Sequence, residues 1–290
     1  MAARHVVVGV DGSDPSMAAV RWAAAEAASR RISLRIVHAE ASLSGNRQAG
    51  PAGSLHDEWV RERIAHACRE TAERYPEVEI SGGATTETAV KALLKAAADE
   101  ELLVLGSRGI GVATGFFTGS VALPVVAHAT GPTVLVREDW HPDTADLDLP
   151  VVAGVDLDHG FDPVLEFAFD AANRTGSVLR VVHMWRRSSV YAYPSALPDP
   201  KVGADLQAIA RDNLDSALDG WQARYPDVVT ERVLLDGEVA PGLLEEAAGA
   251  RLLVGGRRTR KHLRFPTPIG PVTHALMHHA IAPVAVVPHE

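Results

Sequence analysis

The chain repeats itself, and that fact narrows its possible folds more than any other. Val6–Asp11 reads Val-Val-Val-Gly-Val-Asp, and Val151–Asp156 reads Val-Val-Ala-Gly-Val-Asp, 145 residues later. Ile36-Val37-His38 returns as Val181-Val182-His183, and Tyr75-Pro76 as Tyr225-Pro226. Leu102-Leu103-Val104 returns as Leu252-Leu253-Val254, and His128-Ala129 with Pro132 as His279-Ala280 with Pro283. Five matches in order, with offsets drifting only from 145 to 151 residues, identify a tandem duplication. A length of 290 residues alone allows two domains or one large one. The repeat selects two copies of one domain, 1–145 and 146–290, joined by the acidic, Pro-containing stretch Glu138–Leu149.

Each copy alternates short β-branched runs with Ala-rich helical runs. Val6–Val10, Leu34–Val37, Leu102–Leu105 and Thr133–Val136 are continuously apolar, as strands buried on both faces are. A weaker strand is expected around Val78–Ile80. The first helix follows Ser13-Asp14-Pro15, a capping residue with Pro at the first helical position. A second is expected from the capping box Ser54–Asp57, with Val60, Ile64 and Ala67 on one face. Others cover Glu87–Ala98 and Ser120–His128. In the second copy, Asp162-Pro163 and Glu238–Ala248 stand near comparable helix starts. The order βαβαβαβαβ gives an α/β fold: two tandem Rossmann-like domains, each an open parallel sheet with helices on both faces.

Charge and composition exclude several functions. The net charge is -9, and each copy carries 14 basic residues against 18 or 19 acidic ones. Neither copy is a basic half that would coat nucleic acid or an anionic membrane. Aromatic residues are only 5 %, too few for a base-stacking surface along single strands. Cys68 is the one cysteine, so no intramolecular disulfide can form, which fits a cytoplasmic location. The apolar start at Val6–Val10 stops at Asp11, too short for a signal peptide, and no run is long enough to span a bilayer.

The glycine-rich segment Gly106–Ser120 carries the chemistry. It leaves the carboxyl end of the fourth expected strand, where ligands sit in open α/β sheets. Glycines there allow positive φ or close approach of backbone amides, and amides before a helix N-terminus form an anion site. Ser120 is placed to cap the next helix or to hydrogen-bond a phosphate oxygen. A turn serving chain geometry alone is the competing reading. A P-loop is excluded because Val112 stands at the lysine position. A dinucleotide fingerprint is excluded because Asp11-Gly12-Ser13 follows the first strand, and no Gly-x-Ser-x-Gly elbow occurs.

Gly106-x2-Gly109-x9-Gly119-Ser120 matches the ATP-binding signature of universal stress proteins. Val8–Ser13 and the closing His128-Ala129 with Pro132–Val136 are also similar to that family. The chain thus resembles a universal stress protein of the tandem-domain kind over nearly its whole length, twice. The resemblance implies five-stranded sheets of order 3-2-1-4-5. It implies ATP bound with Mg2+ on its phosphates, with Gly106, Gly109, Gly119 and Ser120 around phosphates and ribose. Asp11, with Gly12 and Ser13, would lie near the adenosine. The backbone of Val37, His38 and Ala39 would face the adenine. Arg108 is the nearby positive side chain, and Val121 follows Ser120 in the same segment. It further implies pairing of the two domains. The last strands Thr133–Val136 and Pro283–Val287 are the expected contact, since unpaired edges need cover. A homodimer and an unnamed regulatory protein partner are also expected.

The second copy departs from the pattern. Thr259 replaces the second glycine, the spacing is one residue long, and Pro271 removes both the serine hydroxyl and an amide donor. Leu157-Asp158 replaces Gly12-Ser13. Arg257, Arg258, Arg260, Lys261 and Arg264 form a basic cluster, read either as a replacement anion site or as a solvated loop. His274 and His278, at i and i+4, are a metal pair only if a third ligand joins them. His38 and His183 either line the clefts or pack, and His128 and His279 suit helix-end roles. The loops Ala41–Gly53 and Arg186–Gly203 read as lids or as mobile connections. Three functions stand at this point. One is a cytoplasmic ATP-binding stress-response regulator. The second is a slow ATPase using the same site, against which no general base or Walker lysine is evident. The third is a nucleotide-independent interaction scaffold.

Overall fold

A computed structural model describes residues 4–39, 51–108, 120–141, 148–185, 200–259 and 268–290; the side chains of 51–57 and 200–202 are not included. The first half runs β1 (His5–Val10), α1 (Asp14–Arg30), β2 (Ser33–Ala39), α2 (Pro51–Arg74), β3 (Ile80–Thr85), α3 (Ala89–Ala96), β4 (Leu102–Ser107), α4 (Ala122–His128) and β5 (Thr133–Arg137). The second half runs β6 (Val151–Val155), α5 (Asp162–Thr175), β7 (Leu179–Trp185), α6 (Pro200–Arg224), β8 (Thr230–Asp236), α7 (Val239–Glu246), β9 (Leu252–Arg258), α8 (Pro271–His279) and β10 (Val284–His289). Within each half every strand pair is parallel, and the orders are β3-β2-β1-β4-β5 and β8-β7-β6-β9-β10. The 3-2-1-4-5 order expected from the family resemblance is therefore present twice.

Local chemistry explains most boundaries. Ser13 caps α1: its side chain accepts from the Ser16 amide, and Pro15 sits in the first turn. Two boundaries differ from expectation. α2 begins at Pro51 rather than Ser54, because the fixed φ of proline suits a first helical position. The third strand is Ile80–Thr85, not Val78–Ile80; Val78 is a buried turn residue whose amide donates to the Tyr75 carbonyl. The run Ser81-Gly82-Gly83 has no apolar alternation, so an edge strand there leaves no pattern in the sequence. Residue 145, the expected boundary, lies outside the described residues.

The two sheets join into one. β5 and β10 pair antiparallel, Leu135 opposite Val284 and Thr133 opposite Val286, giving a continuous ten-stranded sheet. This covers the edge that each half would otherwise expose. One apolar core lies on each face and runs through both halves. Val134, Val136, Ala285 and Val287 point to the face covered by α1 and α5, and Leu135, Val284 and Val286 to the face of α4 and α8. The alternation is the period of two that a strand imposes.

Charged groups tie the halves on both faces. On one, Glu26 of α1 accepts from Arg30 and, across the junction, from Arg174 of α5, each at 2.8 Å. Arg174 also bonds Ser29 at 2.6 Å and Asp170 at 3.0 Å. On the other face, Arg137 donates to the carbonyls of Ala280 and His278 at the end of α8, at 2.6 and 2.7 Å. Arg257 of β9 donates to those of Ala129 and Ala127 at the end of α4, at 2.6 and 3.1 Å. Each arginine satisfies terminal carbonyls that the helix cannot, at the end where a cation is favoured. Arg257, 4 % exposed, is thus a buried fastening and not a member of an exposed basic cluster. Arg260, Lys261 and Arg264 lie outside the described residues.

Burial pushes the Glu26 carboxyl up, but the Arg30 and Arg174 charges outweigh it and hold it below the ordinary glutamate value. A lowered native value means stability that is fully present above the ordinary pKa of about 4.3 and is lost as the pH falls through the native one. Glu26→Gln leaves two buried guanidinium groups short of an acceptor. Glu101 and Asp170 still face them, so the expected loss is about 3 kcal/mol at pH 7, at the lower end for a broken buried pair. Chemical denaturation of parent and variant should show that gap at pH 7 and a smaller one in acid. Equal stability at pH 7 would contradict the role given to Glu26.

Candidate functional site

The carboxyl ends of β1, β2 and β4 meet on one edge of the first half. Val10 pairs with His38, and Gly9 with both Val37 and Leu105. The chain leaves β1 through Asp11-Gly12-Ser13. Gly12 is buried with φ +80, a conformation that L side chains rarely adopt. The space beside it is also taken: a Cβ there would lie 3.0 Å from Val60 and 3.1 Å from Trp59. The turn is locked by Asp11, whose Oδ1 accepts from the Ser13 amide at 3.0 Å and the Ser13 hydroxyl at 2.5 Å. Burial raises the Asp11 carboxyl, but these bonds, Ser16 and the Arg108 charge together bring it below the ordinary aspartate value. Asp11 therefore stays ionised at neutral pH and presents a fixed acceptor to the edge.

The other expected site residues divide into three groups. Asp11, Gly12, Ser13, Val37, His38, Ala39, Gly106 and Arg108 come together at this edge. Ser120 and Val121 stand before α4, on the far side of the glycine-rich segment. Gly109 and Gly119 lie outside the described residues. Ser120 does not cap: the N-cap of α4 is Val121, with no side-chain bond. Gly106 answers a packing demand. A Cβ on it would sit 2.5 Å from the Pro15 carbonyl carbon and 2.6 Å from the Ser16 nitrogen. The close approach that this glycine permits is between β4 and the first turn of α1.

The histidines settle by their bonds. The Nδ1–H of His38 donates to the Val10 carbonyl at 2.9 Å, and that of His183 to the Val155 carbonyl at 3.1 Å. Both residues lie inside strands and clamp the first strand of their half to its neighbour. His128 donates to the Pro124 carbonyl in the last turn of α4. His274 and His278 have ring centroids 4.3 Å apart, and among the described residues no group of three His, Cys, Asp or Glu is arranged for a metal. Cys68 packs against the core, and burial pushes its thiol up, away from nucleophile range.

The second half forms the corresponding cleft, about 890 Å³, between Asp156–His159, His183–Trp185, α6 and the start of α8. Its floor keeps the carboxylate: Asp156 accepts from the Asp158 amide at 3.2 Å and from His159 at 2.8 Å. Its anion end differs. Pro271 opens α8 without an N–H, and the Thr273 hydroxyl is spent on the Gly256 carbonyl at 2.7 Å. Thr259, at the lost glycine position, is bound to the His289 carbonyl through amide and hydroxyl. Leu157, replacing Gly12, lines the cleft.

Sequence reasoning missed Trp59 and Arg63, which α2 brings against the Asp11 turn beside the buried Val60. Arg63 binds Asp14 at 2.7 Å and stands over the Trp59 ring. A Trp and an Arg four apart on an otherwise polar helix face were the available signal.

Comparison with known proteins agrees with this architecture. A family model described as "Universal stress protein family" matches residues 2–137 and again 150–288. A universal stress protein of Mycolicibacterium smegmatis is 32 % identical over 291 residues, covering 97 % of this chain and 96 % of its own. One from Mycobacterium tuberculosis is 31 % identical over 300 residues, covering 97 % and 94 %. The crystal structure of a universal stress protein from Archaeoglobus fulgidus aligns over the full length of both chains with a TM-score of 0.66 at 15 % identity, a likeness of fold. With two family matches in one chain and relatives matched nearly end to end, this protein belongs to the universal stress protein family.

Proposed function

We propose that this chain is a cytoplasmic, ATP-binding stress-response regulator that holds one Mg2+-ATP in its first half. The observation that carries the proposal is the convergence of an ionised Asp11 turn, the β2 end and the start of a Gly-x2-Gly-x9-Gly-Ser segment on one sheet edge. Asp11 would accept from ribose hydroxyls. The backbone of Val37, His38 and Ala39 would face the adenine. The amides of Gly109 and Gly119, with Ser120 and Val121 ahead of α4, would wrap the phosphates, and Arg108 would add positive charge. Mg2+ would be held chiefly by the phosphates themselves. Asp11 is already engaged by Ser13, so it is poorly placed as a general base. Binding rather than turnover is therefore the proposed role. Occupancy would alter a surface seen by a protein partner or a second copy of the chain.

The second half, 146–290, would not bind ATP in this manner, since among its described residues Pro271 opens α8 without an amide donor and the Thr273 hydroxyl is taken by the Gly256 carbonyl. Isothermal titration with Mg2+-ATP should give one site per chain, and incubated ATP should stay intact. Gly119→Val should abolish binding by filling the phosphate nest. Unchanged affinity in that variant, or two equivalent sites, would contradict the proposal. Gly106→Ala is the wrong probe: it should cost about 1–3 kcal/mol by forcing β4 off α1. Its loss of binding would report on folding.

A further inference from the structure

We infer that Trp59 and Arg63 of α2 form a side wall of the first cleft that selects a ligand carrying both an aromatic ring and negative charge. This rests on the nucleotide reading above and adds to it two residues outside the glycine-rich motif.

The duplication supplies the argument. α2 and α6 are each followed directly by Tyr-Pro, at Tyr75 and Tyr225, and both make the same turn, with Val78 donating to Tyr75 and Val228 to Tyr225. At that offset of 150 residues Trp59 corresponds to Ile209 and Arg63 to Asn213. Ile209 and Asn213 both line the 890 Å³ cleft of the second half. The same helix face therefore borders the first cleft, where it presents an indole and a guanidinium instead. Contacts within the first half agree. Trp59 reaches to within 3.1 Å of the position a Gly12 Cβ would occupy, one residue from Asp11. Trp59 is 45 % exposed, although burial is the rule for so large an apolar group. It is held in place: the Arg63 guanidinium lies 5.1 Å from its ring centroid, and Asp14 fixes Arg63 at 2.7 Å. The neighbouring Val60, 1 % exposed, anchors this turn of the helix to the core.

An exposed, immobilised indole beside a binding edge is a stacking platform, tolerant of ring identity because every base has a π-face. A guanidinium beside it favours an anionic partner and has donors to spare after its bond to Asp14. The second half has neither group at these positions, so the wall is a property of the first cleft alone.

The test is titration of the full chain with Mg2+-ATP and, separately, with Mg2+-tripolyphosphate, which has the charge without the ring. Trp59→Leu should weaken ATP about tenfold and leave tripolyphosphate unchanged, the loss expected for one stacked base. Trp59→Phe should restore most of the affinity. It should also remove the ATP-induced quenching of tryptophan fluorescence, which picks out one of the five tryptophans. Arg63→Gln should weaken both ligands severalfold. Because Trp59 is half exposed, thermal unfolding of the variants should match the parent. ATP affinity unchanged in Trp59→Leu and Arg63→Gln, with the parent binding normally, would overturn the inference and leave the proposed function standing. Equal loss of ATP and tripolyphosphate in Trp59→Leu would overturn it as well, by showing a structural role. A parent chain that binds no nucleotide would overturn both.

Discussion

The antiparallel pairing of β5 with β10 is the constraint on which the rest of the structure depends. All strands within a half are parallel, so joining the halves through one antiparallel pair makes them run in opposite directions. Ligand edges in such sheets lie at strand carboxyl ends. The two clefts therefore open at opposite ends of one ten-stranded sheet. Neither can complete the other, and each must carry its own chemistry. The same pairing leaves β3 and β8, the strands with the most exposed residues, as the outer edges. The arginine bonds across the junction, Arg174 to Glu26 on one face and Arg137 and Arg257 to helix ends on the other, tie the halves together on both sides of that pairing.

Against this shared frame the halves have diverged where ligand chemistry is decided. Both keep a carboxylate after the first strand, a histidine clamping the second, and a glycine before the fourth strand's exit. The described residues of the second half differ from those of the first at the positions nearest α8. Its Thr259 is tied to β10, its Thr273 hydroxyl to Gly256, and its Pro271 offers no amide. Leu157 lines the second cleft at the position where the first half has Gly12, whose missing side chain leaves room for Trp59 and Val60. A duplicated scaffold can specialise in this way because the core residues and the cleft residues sit on different parts of the same strands.

Much of this was legible in the sequence because its signals are local or repetitive. The repeat, the continuous apolar strands and the Ser13-Asp14-Pro15 helix start each follow from a pattern within a few residues, and the contact between the last strands follows from the need to cover an unpaired edge. Signals that depend on three-dimensional neighbours were not legible. Arg257 looked like part of a basic loop, because nothing in one dimension shows that two helix-end carbonyls await it. Gly106 looked like a ligand-facing glycine, and its contact with Pro15 exists only once β4 lies beside α1. β3 was placed two residues early because an edge strand needs little apolar content. Trp59 and Arg63 gave no motif, since their meaning comes from packing against a turn 47 residues away.

The central claim is that two similar folds share one chain but only the first is built for ATP. Photolabelling with an azido-adenine analogue of ATP, followed by peptide mapping, tests it most directly. The account predicts label confined to peptides of the first half, around the Asp11 turn, the end of β2 and α2, and competed away by Mg2+-ATP. Specific, competable label in the second cleft, around Asp156 or α6, would contradict it.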